Sequence, residues 1–264
     1  MRARMAKSRC APLYSTGSND VIQRMLRDVS KLIQYCQGIG RANGDEVALK
    51  RLNPDRQLIV FDVGANRGQY LERVLTYKAA EIHAFEPSSA AFAELQRRFG
   101  GRSNIILNNV ALGDVQGRQT LHFDHAGSEL SSLYRRHLAH HDIQFAGTEE
   151  VEVVTIDDYC ASRGIERIDL LKLDVEGHEL NVLHGAMKMF ERSAIGMVSF
   201  EFGGCNIDSR TFVRDFFHFF EGHKLKLGRV TPSGRVHFVE RYEEALEQFR
   251  ITCFVAVKTS ERSP

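Results

Sequence analysis

Apolar and polar positions first fall into clear order at Leu58-Ile59-Val60-Phe61, a run of strand-forming residues that ends in the acid Asp62. Gly64 and Gly68 follow, and then Tyr70, Leu71, Val74 and Leu75 recur with helical spacing. The pattern predicts strand, tight turn and helix, the first unit of a nucleotide-binding α/β sheet. Glu81-Ile82-His83-Ala84-Phe85 predicts a second strand, which also ends in an acid, Glu86. A helix is expected over 88–99, with Ser88 or Ser89 as its cap and Gly100-Gly101 as its stop. Residues 104–114 read as a third strand and its exit loop, and 118–124 as a short edge strand.

The stretch 127–147 is polar and irregular. A loop of that length in a compact domain is more often functional than idle, so it is expected to be a substrate-side lid. Its His137, His140, His141 and Asp142 admit a metal site or a solvated loop face; the absence of a matching ligand cluster favours the second. Glu149, Glu150 and Glu152 read as a solvated strand edge, and Thr155 as the cap of a short helix. A buried strand over 168–173 then runs into Asp174-Val175-Glu176-Gly177-His178-Glu179. Leu180, Leu183, Met187 and Phe190 recur on a helix face. A strand is expected over 195–202 and an aromatic-striped core helix over 211–220. Strands at 224–230 and 235–239, joined through Pro232-Ser233-Gly234, make an antiparallel edge, and a last strand covers 251–257.

The 264 residues suit one large α/β domain with an appendage. A net charge of +1 sets up no field that would draw the chain to nucleic acid or an anionic membrane. No apolar run approaches the ~20 residues of a membrane span. The five cysteines are scattered without a C-x-x-C pair, as reduced thiols in a cytoplasmic protein would be. Residues 1–18 hold Arg2, Arg4, Lys7 and Arg9 and no acid, and read as a disordered basic leader, with a transit peptide as the alternative. Residues 19–57 read as a helix followed by a polar linker from Gly38 to Pro54, 58–258 as the main domain, and 259–264 as a tail.

The candidate chemistry begins at the first turn. Gly64 lets the backbone turn sharply, and Gly68 lets a ligand or a helix come close. A dinucleotide-binding turn offers N–H groups to a pyrophosphate. A carboxylate at its mouth, Asp62, would repel phosphate and suit a ligand with a cationic end. S-adenosylmethionine has an ammonium, a sulfonium and an adenosine. Glu86 follows Gly64 at close to the ~20-residue spacing of an acid that grips ribose hydroxyls. Asn109 and its neighbours are candidates to read an adenine. Ligands of a parallel sheet sit outside the carboxyl ends of its strands, so Asp174 and Glu176 point to the rim that Asp62 and Glu86 share. Those carboxylates can bind a divalent cation, act as general base or hold the hydroxyls of a sugar. Glu176 and Glu179 can also simply favour a helix N-terminus, and His178 is either a base or a helix-surface histidine.

Together these stretches resemble the FkbM-type methyltransferases. The resemblance is carried by Phe61-Asp62-Val63-Gly64-Ala65-Asn66-Arg67-Gly68, Phe85-Glu86-Pro87, Asn109-Val110-Ala111-Leu112-Gly113-Asp114, Ser131-Ser132-Leu133, Thr155-Ile156-Asp157-Asp158 and the 168–179 block, with Phe200-Glu201 and Phe254-Val255-Ala256-Val257 also fitting. It covers about residues 58–258 and leaves the first 57 unaccounted for. It implies a class I methyltransferase fold: a mostly parallel, seven-stranded, Rossmann-like sheet with helices on both faces and an antiparallel edge strand. It implies S-adenosylmethionine as donor and O-methylation, often of a sugar hydroxyl on a glycan or glycosylated metabolite. By that match Asp62, Gly64, Ala65, Asn66, Gly68, Glu86, Asn109 and Ala111 line the cofactor, and Asp174 and Glu176 sit on the acceptor side. Asp174 is then the first candidate base and His178 the second. N-methylation is a rival reading, but it would favour an Asp/Asn-Pro-Pro-Tyr/Phe turn where this chain has Asp174-Val175-Glu176-Gly177. A non-catalytic binding protein on the same fold is another, and Asp62 with the missing G-x-G-x-x-G disfavours an NAD-dependent oxidoreductase.

Overall fold

Central strands buried on both faces read as near-continuous apolar runs, and Val60, Phe61, Ile82, Ala84, Leu170 and Leu171 are all fully buried. The computed structural model describes Met25, residues 44–77 and residues 80–258, and every element below belongs to the unit spanning residues 38–264. The expected leader at 1–18, the helix from Asn19 (apart from Met25) and the tail at 259–264 lie outside the described residues.

The main sheet contains β1 (Leu58–Val63), β2 (Ala80–Phe85), β3 (Ile105–Asn108), β7 (Leu170–Leu173), β8 (Met197–Phe202), β9 (Leu225–Val230), β10 (Val236–Phe238) and β11 (Thr252–Lys258). Its order is β10-β9-β11-β8-β7-β1-β2-β3. From β3 to β8 the neighbours are parallel. β11 runs antiparallel between β8 and β9, and β10 antiparallel to β9. The α/β class with an antiparallel edge is as expected, but the sheet has eight strands rather than seven. The extra one is β10, added by a hairpin in which Gly234, at φ +79°, donates its N–H to Thr231 O at 2.8 Å. The short strand expected at 118–124 belongs to a second, three-stranded sheet of β4 (Ala111–Leu112), β5 (Gly117–Phe123) and β6 (Gly147–Val154), ordered β4-β6-β5.

Helices cover both faces of the main sheet. On one face α1 (Gly44–Leu49), α2 (Gln69–Val74) and α3 (Ser89–Phe99) bury Leu49, Leu71, Leu95 and Phe99 against Val60 and Ile82. On the other, α4 (Ile156–Arg163), α5 (Glu179–His184), α6 (Met187–Glu191) and α8 (Val213–Gly222) bury Ile156, Leu183, Phe190 and Phe216 against Phe61, Leu171 and Phe200. The short α7 (Cys205–Ser209) follows β8. Two local expectations change. The stretch read as a polar linker carries α1, whose Ala48 and Leu49 are buried. The face read as one helix over 180–190 breaks into α5 and α6 at Gly185, whose missing Cβ leaves room for Gly113 O.

Candidate active site

The turn after β1 is shaped by what touches it. Gly64 sits at φ +78°, and a Cβ there would lie 1.9 Å from Asp174 O, so only glycine lets this turn meet the exit of β7. Gly64 and Ala65 both donate their N–H to Phe85 O at 3.0 Å. Asn66 also has positive φ, +45°. Glu86, at the end of β2, accepts from Asn66 N–H and from Ser88 N–H, each at 2.8 Å, one on each oxygen. Its burial pushes the carboxyl up to about 7. Gly68 does serve a close approach, but the partner is a helix: a Cβ there would lie 2.3 Å from Phe99 Cε2 of α3.

Asp62 is not at the mouth of the turn. It is fully buried and does not line the cavity described below. Lys172 Nζ lies 3.0 Å from Asp62 Oδ1, 3.6 Å from Asp174 Oδ2, and donates to Gly64 O at 3.2 Å. The pair with Asp62 is an ion pair with both side chains buried. Burial pushes the Asp62 carboxyl up and the Lys172 ammonium opposes it. Asp62 thus faces an internal cation, Lys172, and not the cavity. Asn109 is also outside the cavity lining. Its amide donates to Glu86 O at 2.8 Å and Pro87 O at 3.1 Å, which fixes the strand ends and leaves the cavity lining to Val110, Ala111 and Leu112.

A cavity of about 440 Å³ opens above this turn, within the ~300–1,000 Å³ range of small-ligand sites. It joins Gly64, Ala65, Asn66, Glu86 and Ala111 to Asp174, Glu176 and His178. Asp174 keeps about half of its side chain exposed. Glu176, at φ +52°, pairs with Arg136. Burial and Asp174 push its carboxyl up to about 8, against the pull of Arg136. His178 is 4% exposed, so it is no helix-surface histidine, and neither ring nitrogen has a hydrogen-bond partner among the described residues. Burial lowers it to about 4, which leaves the ring neutral at neutral pH.

The segment between β5 and β6 ties the two ends of the cavity together. Its residues 128–133 are part of the lining. Gln69 Nε2 donates to Glu129 Oε1 at 2.9 Å on the turn side. On the other side Ser132 Oγ donates to Glu176 O at 2.7 Å and Tyr134 OH to Asn181 Oδ1 at 3.1 Å. His137 is exposed, with its ring 3.3 Å from Asp208, and His140 and His141 are exposed and outside the lining. Among the described residues, no group of three or more His, Cys, Asp or Glu is placed to hold a metal ion. Sequence reasoning missed Lys172 and Arg136. A lysine inside the apolar run Leu170-Leu171-Lys172-Leu173 was a usable signal; an arginine in a polar loop was not.

The sequence profile of the methyltransferase FkbM domain matches residues 62–223, more than half of the chain. The chain belongs to the FkbM methyltransferase family. Among its relatives, a protein named 2-O-methyltransferase NoeI from Sinorhizobium fredii is 30% identical over 145 residues, 51% of this chain and 60% of that protein. Methyltransferase 1 from Beauveria bassiana is 29% identical over 150 residues, 50% of this chain and 59% of that protein. The 31-O-demethyl-FK506 methyltransferase FkbM from Streptomyces tacrolimicus is 32% identical over 156 residues, 48% of this chain and 58% of that protein. The chain thus spans less than two thirds of the length of these relatives. The family and its fold indicate S-adenosylmethionine as cofactor, and the FkbM-type cavity fits it. Gly64 gives a cradle that a Cβ would fill. Glu86 uses one lone pair of each oxygen on the backbone, and the others would be open to ribose hydroxyls. Ala65, Phe85, Ala111 and Leu112 supply an apolar wall for a base.

Proposed function

We propose that this FkbM-family chain transfers the methyl group of S-adenosylmethionine to a hydroxyl of a sugar, a glycan or a glycosylated metabolite. The observation that carries the reading is the single cavity that runs from Gly64 and Glu86 to Asp174, Glu176 and His178. Two of the relatives are named for methyl transfer to oxygen, which supports oxygen as the accepting atom. The bound cofactor supplies an electrophilic methyl on a sulfonium, and for such an in-line displacement much of the catalysis is positioning. Glu86, with the turn at Gly64–Asn66, holds the nucleoside end. The accepting hydroxyl must lose its proton as the bond forms. Asp174, half-exposed in the cavity and 3.6 Å from the Lys172 ammonium, is the base that takes it. The neutral His178 ring, with both nitrogens unengaged, orients that hydroxyl. Glu176, fixed by Arg136, holds a neighbouring hydroxyl. Residues 128–133 cover the cavity and keep water from it.

No helix of the described residues is long and apolar enough to cross a membrane. The thiols of Cys160, Cys205 and Cys253 are buried, which supports a cytoplasmic setting as part of the proposal. Mass spectrometry of glycans and glycosylated metabolites from cells with and without the protein tests the reading. A methyl group lost from a sugar oxygen is expected; an unchanged set of sugars, with a methyl lost from a nitrogen instead, would overturn it.

A further inference from the structure

A side chamber of about 80 Å³ opens off the cavity beside Asp174, sharing Leu130, Asp174, Glu176, Glu201 and Ile251 with it. Four carboxylates, those of Asp174, Glu176, Glu179 and Glu201, lie on its wall with one cation, Arg136. The guanidinium is already engaged: it pairs with Glu176 and lies 3.8 Å from Asp208 Oδ2. Glu179 is the unusual member. It is 1% exposed, and its Oε1 accepts from Val175 N–H at 3.1 Å and Gly177 N–H at 3.2 Å. Its Oε2 has no hydrogen-bond partner among the described residues. Glu179 also has no ion-pair partner among the described residues.

A buried carboxylate oxygen without a donor is costly, and native structures rarely leave one so. A donor that enters the chamber would complete it. A hydroxyl would supply the hydrogen bond but would leave the surplus of negative groups in place. A cationic nitrogen supplies both donor and charge. Anionic groups are repelled, and the described residues offer no three-ligand set for a metal ion. The chamber is small enough that only a compact group enters. Leu130, Cys205 and Ile251 provide an apolar surface for the carbon that bears the nitrogen.

We propose that the acceptor of this enzyme carries an ammonium group, and that Glu179 and Glu201 hold that group in the chamber while Asp174 takes the proton of a neighbouring hydroxyl as it is methylated. The inference rests on the methyl-transfer reading above and names the class of acceptor, a hydroxylated amine of the amino-sugar type. The burial that raises Glu179 acts in the same sense: a bound cation displaces its proton and takes its place.

The test is a ligand-detected NMR titration of the full chain with D-glucosamine, N-acetyl-D-glucosamine and D-glucose, with and without S-adenosylhomocysteine. Glucosamine is expected to bind about tenfold or more tighter than either neutral sugar, the effect of one charge-assisted contact. Glu179→Gln keeps the acceptor oxygen for Val175 and Gly177 and removes the charge; Glu201→Gln alters the wall without touching those bonds. In at least one of these folded variants the preference should shrink to about threefold or less. Equal binding of the three sugars by the natural protein, or an unchanged preference in both variants, overturns the proposal. Failure of S-adenosylhomocysteine to bind would defeat the methyl-transfer reading alone, because sugar preference without it still decides the chamber.

Discussion

Lys172 and Asp62 face each other across adjacent strands with both side chains shut away from solvent, Nζ 3.0 Å from Oδ1. They meet because β1 and β7 pair in parallel with these two residues in register. The same ammonium donates to Gly64 O, so the pair supports the cofactor turn from inside the sheet. Removing one partner of a buried ion pair leaves the other charge uncompensated and costs about 3–5 kcal/mol. Lys172→Met should therefore lower stability by that order in urea unfolding. The double variant Asp62→Asn, Lys172→Met should recover most of the loss. A double variant as unstable as the single would contradict the pairing.

The two glycines of the turn should fail differently. Gly64→Ala places its Cβ 1.9 Å from Asp174 O at φ +78°, so the backbone that forms the cavity must move. Calorimetry should show S-adenosylhomocysteine binding about tenfold weaker or worse, since at least one positioned hydrogen bond is lost. Gly68→Ala meets Phe99 Cε2 at 2.3 Å and Leu95 Cδ1 at 2.9 Å. Its cost should appear mainly as stability, about 1–3 kcal/mol of overpacking, with cofactor affinity less affected. The reverse pattern would show that Gly68 and not Gly64 faces the ligand.

These contrasts mark where the sequence was legible. Leu58 to Asp62 and Glu81 to Glu86 announced two strands ending in acids because apolar runs and turn residues are local signals. The capping of α3 by Ser88 and of α4 by Thr155 was equally local. The role of Asp62 was not legible, because it depends on which strand lies beside β1, and Lys172 is 110 residues away. Asn109 and Glu86 look alike as polar strand-end residues. Only the tertiary structure separates the one that ties backbone carbonyls from the one that faces the cavity. Arg136 sits in a loop with no periodic pattern, so its pairing with Glu176 had no sequence signal at all.

The buried acids make stability depend on pH in a stated direction. Glu86 and Glu179 are raised from 4.5 to about 7, and Glu176 from 4.5 to about 8. Between the unfolded and folded values each binds a proton in the folded chain and not in the unfolded one, so stability falls as pH rises through that window. His178, lowered from 6.5 to about 4, acts oppositely, and its contribution is lost as pH falls below 6.5. Above pH 6.5 only the acids remain in play. The ligand-free protein should lose on the order of 3 kcal/mol between pH 6.5 and 8 in urea unfolding. Glu179→Gln should flatten that decline, and a rise in stability over the same window would contradict the burial of these carboxyls.

The segment over the cavity is held at both ends, through Glu129 to the cofactor turn and through Ser132 to the β7 exit. Amide hydrogen exchange at 128–134 should slow when cofactor and acceptor are both bound. No change on adding either ligand would count against its role as a cover.

The central claim, that Asp174 is the base at one end of a cavity whose other end holds the cofactor, is tested most directly by Asp174→Asn. The substitution keeps the shape and removes the charge. The measurement is transfer of labelled methyl from S-adenosylmethionine to a sugar hydroxyl, with S-adenosylhomocysteine affinity read on the same protein. Turnover should fall by about 10²–10⁴, the range for losing general acid–base help, while cofactor affinity stays within about threefold, because Glu86 and the Gly64 turn carry that contact. Normal turnover in the Asn variant would contradict the account and move the base to His178 or Glu176.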